Sequence, residues 1–107
     1  KHKDAIRFYE EAVKFYPSSE NFHFNLGLAY QEKGENNKAI LEFMAAVALN
    51  PKISNYYYSL GRLYAKEEQM HFAKLFLNQS LILDPQNKEA LKMIKHFKKE
   101  AKKAEEK

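Results

Sequence analysis

Apolar residues recur at spacings of three and four along most of the chain, as in Leu26 and Tyr30 and then Ala39, Phe43, Ala46 and Val47. That is helical periodicity, and no stretch alternates apolar with polar as a strand does. The pattern predicts helices over about 4–16, 20–33, 37–50, 54–67, 69–84 and 88–103. Pro17, Pro51 and Pro85 follow helical stretches, where a missing N–H and a ring clash stop a helix from continuing. Ser19, Ser54 and Asn87 read as N-caps, each offering a side-chain oxygen to the first unpaired amides. Gly34 suits the left-handed turn that ends the second helix, whereas the equivalent place further on is Glu68, a less well specified turn.

The same residues return at a fixed spacing. Pro17, Pro51 and Pro85 stand 34 apart, and ahead of each proline Ala5, Ala39 and Ala73, then Tyr9, Phe43 and Leu77, then Ala12, Ala46 and Ser80 fall in register. Leu26-Gly27 with Tyr30 recurs as Leu60-Gly61 with Tyr64. A period of this length marks a solenoid of supersecondary units, which present a surface to another molecule. Gly27 and Gly61 fall inside helices, where each costs about 1 kcal/mol relative to alanine. Close approach of paired helices, with Ala39, Ala46, Ala73 and Ser80 as the small residues opposite, is the expected compensation.

Leu-Gly, then Tyr, a small residue, an aromatic, another small residue and a closing proline resemble the tetratricopeptide repeat. The departures are His23 and Tyr57 at the family's favoured tryptophan and Leu77 in place of the aromatic. The resemblance implies an all-α fold, a right-handed α-solenoid of antiparallel helix hairpins with about six helices. It divides the chain into the second helix of a preceding repeat (1–19), two units (20–53 and 54–87) and a C-terminal capping helix with a basic tail (88–107).

In this family the first helix of each unit lines a concave groove. Carried onto this sequence, the groove-facing positions are Asn21, Phe24, Asn25, Leu28, Gln31 and Glu32, then Asn55, Tyr58, Ser59, Arg62 and Lys66. Glu89, Lys92, Met93 and His96 continue the row. An amide such as Asn25 pairs with both a donor and an acceptor of a bound backbone, and Tyr58 with Arg62 one turn on offers an aromatic face beside a cation. Asn25 also matches one asparagine of the clamp by which a chaperone-binding subfamily holds a terminal carboxylate. Asn55 and Ser59 stand where the next unit needs Lys and Arg, so that likeness stops there.

Composition narrows the chemistry. The formal charge of +4 comes entirely from the end of the chain, because residues 1–87 balance ten basic against ten acidic side chains while residues 88–107 hold eight lysines against four glutamates. The tail reads first as the polar outer side of a capping helix, with Leu91, Ile94 and Phe97 covering the last repeat, and nucleic-acid or membrane contact is disfavoured by its glutamates and lack of arginine. No apolar run approaches the length of about 20 residues that spans a bilayer. With no cysteine there is no disulfide or thiolate site, a composition that suits a reducing compartment such as the cytoplasm. His2, His23, His71 and His96 have no metal-ligand spacing, Glu10-Glu11 and Glu67-Glu68 point to different sides of a helix, and no phosphate loop or nucleophile elbow occurs. Neither a metal nor a cofactor is expected.

These features favour a non-enzymatic adaptor or scaffold that binds a peptide or helix of a partner protein. Two other readings stand beside it: a substrate-recruiting segment of a larger enzyme, and a self-association module. For the last, the first helix carries Ile6, Phe8, Tyr9, Val13 and Phe15 without a hairpin partner of its own, and a homodimer would cover them.

Overall fold

The computed structural model describes residues 2–106, without the side chain of His2. Lys1 and Lys107, which close the first and last predicted segments, lie outside the described residues. Six helices follow one another: α1 (His2–Phe15), α2 (Glu20–Lys33), α3 (Asn36–Leu49), α4 (Ser54–Lys66), α5 (Met70–Leu83) and α6 (Lys88–Glu105). Each packs chiefly on the next along the chain, α2 with α3 and α4 with α5 most extensively, in a body of 52 × 26 × 19 Å.

The helix ends follow from local chemistry. Ser19 Oγ accepts from the Phe22 amide at 3.2 Å and Asn87 Oδ1 from the Ala90 amide at 3.1 Å, so both act as caps. Ser54 does not. Ile53 holds the N-cap position of α4, and the Ser54 hydroxyl instead reaches the carbonyl oxygen of Ser80 at 2.8 Å. A tertiary acceptor has won over the local amides. The α2–α3 and α4–α5 turns close alike, with Glu35 and Gln69 amides donating to the Tyr30 and Tyr64 carbonyls at 2.9 Å. Gly34 turns with φ 91, and Glu68 takes the same left-handed region at φ 59 despite its Cβ.

Two apolar clusters fill the interior. Ile6, Leu26, Ala29, Tyr30, Ala39, Phe43, Leu60 and Leu63 join α1 to α4, and Ala73, Leu77, Ala90 and Phe97 join α5 to α6. Burying a side chain such as Phe43 or Leu60 contributes about 1.5–3 kcal/mol. The helical glycines admit bulk rather than small residues: a Cβ on Gly27 would lie 2.5 Å from the Phe43 ring, and one on Gly61 would lie 2.7 Å from Leu77 Cγ. Ala39, Ala46, Ala73 and Ser80 are fully buried as expected, but Phe43 and Leu77 fill the space over the glycines, and the Ala73 carbonyl oxygen would lie 3.2 Å from a Cβ on Gly61.

At the C-terminal end, Ile94 and Phe97 cover α5 as expected, while Leu91 is 37% exposed and Met93 packs in its stead. On α1, Ile6, Tyr9 and Val13 pack into the first cluster, and Phe8 and Phe15 stay exposed.

Candidate functional site

Asn21, Phe24, Asn25, Leu28 and Gln31 share the side of α2 opposite the buried Leu26 and Tyr30, as the helical period requires. Asn21 is exposed, and Asn25, Leu28 and Gln31 are half-buried. Phe24 is largely taken up by packing, its ring centroid 5.2 Å from that of Phe43 and 4.9 Å from that of Tyr56 on α4. It wedges α2 against α4. Tyr58, the same position one repeat later, is half-buried against the cluster that holds α6. Arg62, Lys66 and Asn55 are exposed on α4, while Ser59 is 8% exposed and offers little surface. Of the further row on α6, Glu89, Lys92 and His96 are exposed and Met93 belongs to the second core.

Hydrogen bonding separates these residues further. Asn55 Oδ1 accepts from Asn87 Nδ2 at 3.2 Å. Among the described residues, the side chains of Asn21, Asn25, Gln31, Tyr58, Arg62 and Lys66 have no hydrogen bond or ion pair within the chain. The first helices thus present a row of uncommitted amides and cations beside Leu28 and the edges of two aromatic rings.

Polar ties that sequence reasoning missed hold this wall in place. Tyr56 donates to Glu20 Oε2 at 2.7 Å, and Asn50 Nδ2 donates to Glu20 Oε1 at 3.1 Å, linking the start of α2 to the next hairpin. Burial, then the hydrogen bond and charge of Glu20, push the Tyr56 hydroxyl up to about 12. Tyr30 donates to Glu10 Oε2 at 2.6 Å, and burial with the same kind of contact raises it too. Asn87 Nδ2 reaches Ser54 Oγ at 2.9 Å and Ser80 Oγ at 3.3 Å, fastening α6. Its role as a helix cap was the one sequence signal at this junction.

No group of three or more potential metal ligands occurs among the described residues. His23 is structural, with both ring nitrogens engaged. A cleft of about 410 Å³ beside α1 is lined by side chains of both charges, among them Arg7, Glu10, Tyr30, Lys33, Glu35 and Lys38.

A TPR repeat model matches residues 1–34, and tetratricopeptide repeat models match residues 20–53 and 54–87. The chain belongs to the tetratricopeptide repeat family. TPR structures share its fold. The Arabidopsis OM64 TPR domain is 24% identical with a TM-score of 0.87, over 92% of this chain and 82% of that one. The first TPR of Spaghetti (RPAP3), solved bound to the HSP90 peptide SRMEEVD, is 23% identical with a TM-score of 0.87, over 94% and 79%. YrrB, described as a TPR protein with an unusual peptide-binding site, is 23% identical with a TM-score of 0.84 over 88% of this chain, which spans 48% of YrrB. No curated protein sequence matches significantly. At these identities the likeness is one of TPR fold.

Proposed function

We propose that this TPR chain is a non-catalytic protein–protein interaction module that captures an extended peptide or a helix of a partner along the wall formed by α2 and α4. The observation that carries the reading is the row Asn21, Asn25, Gln31, Arg62 and Lys66, whose polar groups the fold leaves unpaired on one side of the first helices. Amides at such spacing pair with the donors and acceptors of a peptide backbone, and Leu28 with the edge of Tyr58 receives apolar side chains between them. Peptide recognition by other TPR proteins, as in Spaghetti (RPAP3), supports the same use of the fold.

Selection from a displayed peptide library, followed by fluorescence polarisation with an Asn25→Ala/Arg62→Glu variant, tests the wall. Both residues lie outside the fully buried core, so the variant is expected to fold. Loss of at least about tenfold in affinity is the expected result for a hydrogen-bonded amide and a rim cation together. Unchanged affinity would place the binding surface elsewhere.

Self-association through α1 is a second reading, favoured by the 63% and 68% exposure of Phe8 and Phe15. Light scattering decides it: a monomer mass at every concentration removes it.

A further inference from the structure

The last helix carries a regular charge pattern that the fold does not use. Ala90, Met93, Ile94 and Phe97 turn one side of α6 into the second core, and the opposite side is left to Lys88, Lys92, Lys95, Lys99 and Lys102, all exposed. Their spacing alternates strictly between four and three residues, which sets them on one line about 21 Å long at 1.5 Å per residue. Glu89, Glu100 and Glu105 fall to either side of that line, and Glu106, four residues past Lys102, closes it at the C-terminal end. Among the described residues none of the five lysines has an ion-pair partner, and the ion pair within α6 is Lys103 with Glu100 at 4.0 Å. Like charges three and four apart on a helix repel, so the line weakens α6, and among the described residues no ion pair to these five lysines offsets it.

We propose that this line of lysines docks an acidic α-helix of a partner protein, one with Asp or Glu at the same alternation of four and three. A straight cationic stripe at the 3.5-residue period is the complement of an equally spaced acidic stripe on a helix lying alongside. Two other anionic partners fit less well. A nucleic acid would bring phosphates over the flanking glutamates as well, and α6 has no arginine to grip phosphate in two-pronged fashion. An anionic membrane recruits a helix whose apolar side is free to insert, whereas that side of α6 is spent on α5. Lys92 belongs both to this line and to the row that continues from α2 and α4, whereas Lys88, Lys95, Lys99 and Lys102 are no part of the groove reading, so the line is tested through Lys88, Lys95 and Lys99.

The test uses the whole chain and two labelled helical peptides of identical composition. One carries its glutamates in the four-and-three stripe, and in the other they are spread around the helix. At low salt the striped peptide is expected to bind at least about tenfold tighter than the spread one, and to weaken as salt is raised. Lys88→Glu/Lys95→Glu/Lys99→Glu and its neutral counterpart Lys88→Gln/Lys95→Gln/Lys99→Gln are both expected to lose that binding. Lys52→Glu/Lys74→Glu/Lys98→Glu, with the same change in net charge at exposed positions off the line, is expected to keep it. Circular dichroism verifies the helix content of each variant. Equal affinity for both peptides, binding that survives the on-line variants, no binding at all, or tighter binding of duplex DNA or phosphatidylserine vesicles would each overturn the proposal.

Discussion

His23 holds the carbonyl oxygen of Pro17 through its Nε2 at 2.8 Å, securing the turn that leads into its own helix. One repeat later Tyr57 does the same with a hydroxyl, donating to the Pro51 carbonyl at 3.0 Å. Two unlike side chains stand where the family favours tryptophan, and each bonds the carbonyl of the proline six residues before it. Imidazole, phenol and indole each carry a donor at the edge of a flat ring, which is the property this place uses. Tyr57→Phe keeps the ring and removes only the donor, so it is expected to cost about 1 kcal/mol, read from the urea midpoint.

The helical glycines set a sharper test. With the Phe43 ring 2.5 Å from where a Cβ on Gly27 would sit, Gly27→Ala forces the ring out of a fully buried place. A loss of about 1–3 kcal/mol is expected from overpacking, against the small gain in helix propensity that alanine brings at an open site. Thermal melts of the single variant decide the sign.

Glu68 and Gly34 end their helices in the same left-handed backbone, at φ 59 and 91. The Cβ of Glu68 opposes that conformation, so Glu68→Gly is expected to raise stability by about 0.5–1 kcal/mol once the greater freedom of unfolded glycine is subtracted. Gly34→Ala, the reverse change at the equivalent turn, is expected to lower it by about 1 kcal/mol. A denaturant series on both variants should show shifts of opposite sign.

Tyr56 imposes a limit at alkaline pH. Its folded pKa of about 12 exceeds the ordinary 10.0, so the folded chain keeps a proton that the unfolded chain gives up. The stability this confers is complete below about pH 10 and is lost as pH rises through about 12. Tyr30 is raised in the same direction and adds to the fall. Tyr56→Phe is therefore expected to lower stability at neutral pH and to flatten its decline above pH 10, as followed by denaturation at stepped pH.

Much of this was legible before any coordinates. Helical period, prolines and caps placed all six helices within two residues at each end, because these signals act over three or four residues and need no distant partner. What escaped depends on contacts across repeats. Ser54 looks like a cap until the Ser80 carbonyl is brought to it from 26 residues away. The sequence offers small residues to answer the helical glycines, yet the Phe43 ring and Leu77 lie over them, which only the angle between paired helices decides. Which side of α2 and α4 faces a groove is what the family resemblance implies, and the helical period says only which residues share that side. That Phe24 also packs across to α4 and Tyr58 against the second cluster, and that Ser59 is covered, follows from how far each hairpin leans on the next.

Tyr64 packs against both apolar clusters, its ring centroid 5.4 and 5.5 Å from those of Phe72 and Phe76. Because each helix leans chiefly on its chain neighbours, that phenol sits at the seam of the α4–α5 hairpin where the two clusters meet, with the ends of the array furthest from it. Hydrogen exchange in such an array runs inward from α1 and α6, so a partner that clips either end would slow exchange far from where it touches.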